Sequence, residues 1–198
     1  MMRRVLILIV TLVLMEIGAI GQMPVSPRLS PKEVVERFCK MEAEGKHLTP
    51  DGWRDMSKLL ISSTANPRLE EMAVIKDYIV SEPVIDRNRA KVSVVYTTLG
   101  VVDPRNLSFG PRGPYPIEPV KITFERTLIL TEKYTEVGPG GAGREMEGPP
   151  VWRIEGQAEP HISVQTAIDY LQRLRIKTSN DAFSKSADES ISALRKLQ

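Results

Sequence analysis

The stretch VKITFERTLILTEKY, residues 120–134, alternates apolar with polar side chains almost without interruption. This period of two predicts a β-strand of an antiparallel sheet, with one face buried and the other in contact with water. At about 3.3 Å per residue the strand would extend for about 50 Å, so we expect it to bend or to carry a bulge. Its apolar face comprises Val120, Ile122, Phe124, Leu128 and Leu130.

Arg126 interrupts this apolar face. An unpaired guanidinium is costly to bury, so we expect Arg126 to meet a carboxylate or to line a cavity that admits water. Asp77 is the candidate carboxylate, and Tyr96 could line the same space. A bulge that turns Arg126 towards solvent is the alternative. Arg126, Asp77 and Tyr96 are therefore the candidate ligand-cavity residues.

Three further strands are predicted around the long one. Residues 74–80 and 91–99 are rich in Val, Ile, Tyr and Thr, and the turn residues between them indicate a hairpin. Residues 151–157 form the last strand, with Trp152 facing the core. Two loops rich in proline and glycine, residues 100–119 and 138–150, interrupt the sheet, and loops of this length are usually functional lids or disordered insertions.

Helix signals stand on both sides of the strands. Ser30 and Glu33 form a capping box around Pro31, which suits the first position of a helix. A second helix is predicted from Thr49 to about residue 62, and a third after Ser163, a typical N-cap residue. These elements predict an α+β domain in which N-terminal helices pack on a strongly curved antiparallel sheet and a C-terminal helix follows.

This single domain is predicted to occupy residues 30–177, after an extended linker over residues 22–29. Residues 178–198 are predicted to be a polar tail with a short, weakly anchored helix. Residues 1–21 have the form of a secretory signal peptide, because two arginines precede an apolar run over residues 5–15. That run is shorter than the roughly 20 residues of a membrane-spanning helix. We expect cleavage near residue 21 and a secreted, periplasmic or cell-envelope location, with an uncleaved membrane anchor as the alternative.

Composition argues against several functions. Lys and Arg number 27 against 25 Asp and Glu, and this balance argues against nucleic-acid binding, which calls for a basic surface. One cysteine excludes a multi-cysteine metal site, two histidines leave little for a histidine-based one, and no cofactor is predicted. The glycine-rich run over residues 138–143 lacks the Gly-Lys-Ser/Thr sequence of a P-loop.

Cys39 and His161 are the other reactive side chains of note. A lone thiol in an exported protein is a nucleophile, a dimer-forming cysteine or, as we expect, a small buried side chain on a helix. His161 precedes the helix cap and is expected to be a loop or capping residue, with catalysis as the alternative. No catalytic residue is assigned; Asp77, Tyr96 and His161 are the candidates.

The capped first helix, the long strand and the segment Trp152-Arg153-Ile154 occur in an order that resembles the nuclear transport factor 2-like superfamily, which includes ketosteroid isomerases and polyketide cyclases. The resemblance covers about residues 30–157 and implies a cone-shaped sheet. Members include enzymes that use an Asp, a His and a Tyr in the cone, and others that only bind or dimerise. No catalytic motif of the superfamily matches this chain by position, so no catalytic role is transferred.

Three functions are compatible with these residues. The first is an exported, non-catalytic domain that binds a small apolar ligand or a protein partner, a second copy of the chain included. The second is an isomerase, hydratase or cyclase with Asp77 as the base and Tyr96 or Arg126 stabilising an oxyanion. The third is a structural subunit of the cell envelope.

Overall fold

Four helices and a seven-stranded sheet make up the part of the chain that the computed structural model describes, residues 28–62, 71–111, 119–137, 143–156 and 160–198. The architecture is α+β, as predicted, with two helices before the strands and two after them. The proposed signal peptide and parts of both proline- and glycine-rich loops lie outside these ranges. Within them, no helix has the length and apolar character needed to cross a membrane.

The first two helices begin where the capping residues predict. Helix α1 spans Pro31–Ala43 and α2 spans Pro50–Ser57, with a short 3-10 turn between them. The Ser30 hydroxyl accepts a hydrogen bond from the Glu33 backbone N–H, and the Glu33 carboxylate accepts one from the Ser30 backbone N–H. This is the predicted capping box.

The sheet is open and mixed rather than a closed antiparallel cone. Its strand order is β6-β5-β3-β1-β7, with β2 and β4 also paired to β3. All pairs are antiparallel except β1 with β7, so the prediction of a fully antiparallel, strongly curved sheet is wrong at this edge. The strands are β1 (Met72–Val80), β2 (Val84–Asp86), β3 (Arg89–Asp103), β4 (Ser108–Gly110), β5 (Val120–Val137), β6 (Gly143–Ile154) and β7 (His161–Ser163).

The irregularity at the long strand β5 lies in its pairing with β6, and the extra residues belong to β6 rather than to β5. β5 pairs with β3 without interruption from Val120 to Ile129, and with β6 from Leu128 onwards. Its register with β6 shifts between Thr131 and Lys133, opposite a part of β6 that holds two prolines. Proline has no N–H to donate to the ladder, which accounts for the break. Residues 143–150, predicted to be a loop, belong to β6.

Two separate apolar cores pack against different parts of the sheet. The first packs α1 and α2 against the inner face of β3 and β5. Trp152 packs against this core but is only half-buried, and Arg153 is buried, because the segment after α2 covers the end of β6. Trp152 therefore faces the core, as predicted, but is not fully buried.

The second core packs helices α3 (Val164–Lys177) and α4 (Asp181–Arg195) against β1, β3 and β4. The sequence predicted only a polar tail with a short helix after residue 177, whereas α4 is 15 residues long. It buries Ala187, Ile191 and Leu194, which are spaced so that they form one narrow stripe. The tail is thus part of the fold.

Candidate functional site

Six polar side chains lie together between α1 and the inner face of the sheet, and we call them the polar cluster. None of them is more than 7% exposed. They come from α1, from the turn after it, and from β3, β5 and β7. The members are Cys39, Glu42, His47, Tyr96, Arg126 and His161.

Local structure explains how each element delivers its side chain. Cys39 and Glu42 are three residues apart and so share the inward face of α1. Gly45 has a left-handed φ of 69°, which glycine adopts without strain, and the turn after it brings His47 into the core. Val92 on β3 lies opposite Arg126 on β5, and Tyr96 is four residues after Val92 and so lies on the same face of the sheet. The side chains of Tyr96 and Arg126 therefore both point inward.

The Glu42 carboxylate is the centre of the polar cluster. The Tyr96 hydroxyl donates a hydrogen bond to Glu42 Oε2 at 3.2 Å, and His161 Nδ1 lies 3.5 Å from the same oxygen. The Cys39 Sγ lies 3.2 Å from the Tyr96 hydroxyl. The rings of Tyr96 and His161 stack, with centroids 3.9 Å apart and planes inclined by 4°. One carboxylate oxygen therefore links α1 to β3 and β7.

Arg126 supplies the positive charge of the cluster. Its guanidinium carbon lies 5.6 Å from the centroid of the Phe38 ring and 5.8 Å from that of Phe124, within cation–π range. Burial by itself would lower the pKa of Arg126, but the Tyr96 hydroxyl and the Glu42 carboxylate raise it, and the net shift is upward. Arg126 is therefore charged, and the Glu42 carboxylate favours that charge although the two side chains form no ion pair among the described residues.

Burial keeps Cys39, Tyr96 and His47 neutral. It raises the pKa of the Cys39 thiol to about 11, raises the pKa of Tyr96, and lowers the pKa of His47. A protonated thiol is a poor nucleophile, so this cysteine is inert at neutral pH. Both ring nitrogens of His47, Nδ1 of His161, and Nε and Nη2 of Arg126 lack a hydrogen-bond partner among the described residues.

The structure brings together three of the four residues that the sequence singled out. Tyr96, Arg126 and His161 meet in the polar cluster. Asp77 does not, so the expected pair of Asp77 with Arg126 is wrong. The reason is an irregularity in β1: Ile75 lies opposite Thr98 and Asp77 lies opposite Thr97, so the residue between them is extra. That extra residue reverses the faces of the strand, and Asp77 is exposed.

Sequence reasoning missed Glu42 and His47. Glu42 follows Val35 by seven residues and Phe38 by four, so the helical period of α1 places it on the buried face. That signal was present in the sequence. The position of His47 depends on the turn at Gly45 and on packing against distant strands, and no local pattern indicates it.

A groove of about 600 Å³ lies on the surface between α1 and β1. Tyr78 and Val80 form its floor on the strand side, and exposed charged side chains of α1 form its wall: Glu33, Glu36, Arg37 and Lys40. The Tyr78 ring also faces Tyr96, with centroids 6.2 Å apart. Tyr78 therefore separates the groove from the polar cluster.

The groove follows an edge of the sheet that has no further strand in the described ranges. β7 pairs with β1 only at Ala73–Ile75, so residues 76–80 have β3 on one side and the groove region on the other. β2 continues this edge, since it pairs with β3 on the same side. Three large apolar side chains of this edge are exposed: Ile79 at 64%, Val84 at 72% and Ile85 at 53%.

Comparisons of the chain with models of protein families, with curated proteins and with solved structures found no match. The resemblance to the nuclear transport factor 2-like superfamily stays a prediction.

Proposed function

We propose that the chain is an exported, non-catalytic domain that binds an extended segment of a partner protein along the edge formed by β1 and β2. The observation that carries this proposal is the edge of β1 at residues 76–80, which lies beside the groove and faces no other strand in the described ranges. The charged flank of α1 borders this edge on the inner face of the sheet, where Tyr78 and Val80 line the groove.

Strand addition draws its affinity from main-chain hydrogen bonds and its specificity from alternate side chains. An open edge offers unpaired N–H and C=O groups, and monomeric proteins usually protect such edges with charges, prolines or coverage. Here Lys76 and Asp77 place exposed charges on the edge at the irregularity of β1. Beyond them the edge carries the exposed apolar side chains of Ile79, Val84 and Ile85. Exposed apolar side chains gathered along one edge favour a binding surface.

The polar cluster acts in this proposal as a scaffold. Glu42 ties α1 to β3 and β7 through Tyr96 and His161, so it sets the distance between the helix and the sheet, and hence the width of the groove. An interior carboxylate held by specific contacts favours one arrangement of these elements, because other arrangements would leave it without those contacts.

A second candidate function is an acid–base enzyme of the isomerase type. The observation that favours it is the convergence of Glu42, His161 and Tyr96, a carboxylate, an imidazole and a phenol in contact. Glu42 would replace Asp77 as the base, since Asp77 is exposed elsewhere. This function requires Tyr78 to move, because that ring separates the cluster from the groove.

Hydrogen–deuterium exchange tests the first proposal. Peptides selected by display on the immobilised mature chain would be synthesised and added, and exchange at residues 76–80 is expected to slow. Ile79→Lys, which places a charge on the edge, is expected to weaken binding roughly tenfold or more. The matched control is Val120→Lys, which changes another exposed apolar residue, at 52%, and should leave binding unchanged.

Protection elsewhere in the chain, or equal loss of binding in both lysine variants, would contradict strand addition at this edge. The enzyme candidate predicts a different result. Glu42→Gln would abolish turnover of a small substrate, and protection on substrate binding would appear around Tyr96 and His161 rather than at residues 76–80.

A further inference from the structure

We propose that the polar cluster binds an organic monocarboxylate with a small apolar body, and that Nε and Nη2 of Arg126 hold the two oxygens of its carboxylate. This site is separated from the groove by Tyr78, and it does not depend on strand addition at β1. The observation that carries the proposal is one edge of a buried guanidinium that has no acceptor among the described residues.

Buried polar atoms without partners concentrate in the polar cluster. Within the described ranges, eight buried side-chain nitrogens and oxygens form no hydrogen bond, and five of them belong to His47, Arg126 and His161. Native proteins pair nearly all such atoms, because a buried donor without an acceptor retains the full cost of leaving water. Their concentration in one cluster favours a site for the polar atoms of a bound molecule.

The two unpartnered atoms of Arg126 are neighbours in the side chain. Nε–H and Nη2–H lie on the same edge of the planar guanidinium and point in parallel. Two parallel donors match the two oxygens of a carboxylate, which is the usual bidentate geometry of arginine with carboxylates. The sequence predicted a carboxylate or a cavity beside Arg126. Asp77 is exposed, and the engaged oxygen of Glu42 accepts from Tyr96, so neither side chain fills this edge.

Two aromatic rings determine the apolar part of the ligand. The guanidinium carbon of Arg126 lies 5.6 Å from the centroid of Phe38 and 5.8 Å from that of Phe124, so apolar surface borders the charged edge. A ligand with an apolar body gains affinity by burying that body against these rings, whereas an inorganic anion does not. The surroundings of Arg126 therefore favour an organic acid.

The charges of the cluster favour a ligand with a single negative charge. Arg126 supplies one positive charge, and Glu42, which is 2% exposed, is the acidic side chain of the cluster. A phosphate would bring up to twice the charge of a carboxylate close to Glu42, and more oxygens than this edge has donors. A monocarboxylate uses both donors and adds the smallest negative charge.

Access to Arg126 requires a side chain to move, because Nε and Nη2 are closed to solvent. Phe38 is 2% exposed, whereas Phe124 is half-buried. β6 and the residue after it pair with β5 only from Thr127 onwards, so no further strand in the described ranges covers β5 beside Phe124. Rotation of the Phe124 ring is therefore the movement that we expect on binding.

NMR of the arginine Nε–H signals tests the site in the mature chain. Titration with benzoate is expected to move the Arg126 signal downfield until it saturates, with a Kd of about 1 mM or tighter. Benzamide has the same ring but no charge, and it should bind at least about tenfold more weakly. Hexanoate is titrated in the same way, because a flexible chain does not depend on the shape of one ring.

Arg126→Lys keeps the positive charge but removes the pair of parallel donors, so it should weaken benzoate binding about tenfold or more. The variant also assigns the Arg126 signal by its loss. Circular dichroism and urea denaturation show whether the variant folds. Should it not fold, nuclear Overhauser effects to the rings of Phe38 and Phe124 assign the signal, and the titration of the unmodified chain is the test.

Arg153→Lys is the matched control. Arg153 is also 7% exposed and its Nε also lacks a partner among the described residues, but its Nη1 donates to the Lys58 carbonyl oxygen. This variant should bind benzoate as the unmodified chain does. The Arg153 Nε–H signal should stay in place during the titration.

Several results would overturn the proposal. They are the absence of a saturable shift with both acids, undiminished binding by folded Arg126→Lys, and a shift at Arg153 instead of Arg126. Equal binding of benzamide would assign the edge to a neutral ligand, and an equal shift with chloride would mean an adventitious ion only. Hydrogen exchange at residues 76–80 with the selected peptides is measured without benzoate, so strand addition and carboxylate binding stand or fall separately.

Discussion

Replacing Glu42 by leucine tests whether the polar cluster is one coupled unit. Glu42 is 2% exposed, and its Oε2 accepts the hydrogen bond of the Tyr96 hydroxyl. Removing the carboxylate leaves that buried hydroxyl without its acceptor. It also leaves Arg126, which is 7% exposed, without the negative charge that balances it.

The expected magnitude follows from these two losses. A buried hydroxyl without its partner costs about 1–3 kcal/mol. Glu42 and Arg126 form no direct ion pair among the described residues, so the lost attraction between their charges adds less than the roughly 3–5 kcal/mol of a broken buried ion pair. Arg126→Met should cost a similar amount, because it leaves Glu42 as the unbalanced charge. The double variant Glu42→Leu/Arg126→Met should lose at least about 1 kcal/mol less than the sum of the single variants, since both charges are then gone.

Urea denaturation of the mature chain at neutral pH provides the assay. The fluorescence of Trp53 and Trp152, both packed on the first core, reports its unfolding, and far-UV circular dichroism reports the whole chain. The control is Asp77→Leu, an exposed position whose change should stay within about 0.5 kcal/mol. Additive losses for Glu42 and Arg126, or a coupling of Asp77 with Arg126, would refute the assignment of Glu42 as the partner.

Four other predictions concern pH, the C-terminal helix and export. The pKa of His47 is lower in the folded chain than its unfolded value of 6.5, so the unfolded state binds the proton first as the pH falls. In urea titrations the free energy of unfolding should therefore keep the full contribution of His47 above pH 6.5 and decrease below it. The pKa of Cys39 rises from 9.0 to about 11 on folding, so stability should decrease above pH 9, by up to about 3 kcal/mol, and Cys39→Ala should remove that part of the decrease. Leu194→Ala should cost about 2–5 kcal/mol in the same assay, and a loss near zero would show that α4 is not part of the core. N-terminal sequencing of the exported protein should begin near Gln22, and an intact N-terminus in a cytosolic pool would contradict export.

The elements with strong local patterns could be predicted from the sequence. The capping box at Ser30 and Glu33 satisfies N–H groups within three residues of each other, so it needs no distant contact. The alternation in β5 reports the two sides of one strand and correctly places Arg126 on the inner face. Both signals depend on short-range geometry, which the sequence carries directly.

Elements that depend on long-range packing could not be predicted in this way. β7 is three residues long and becomes a strand only because β1 lies beside it, so the sequence around His161 resembles a loop. In α4 only one narrow stripe is apolar, and its burial depends on packing against α3 and against β4, a three-residue strand that is distant in the sequence. The expectation that the sheet forms a cone also relied on the order of elements, which does not specify curvature or closure.

The irregularity at Lys76 links the polar cluster to the groove. Without the extra residue, the parity of β1 would turn Asp77 towards Tyr96. With it, Asp77 is exposed and Tyr78 faces Tyr96 instead, while the same ring forms part of the floor of the groove. The acceptor for the Tyr96 hydroxyl is Glu42 on α1 and not a carboxylate of β1. One residue in β1 thus determines that an aromatic ring, rather than a carboxylate, lies between the polar cluster and the groove.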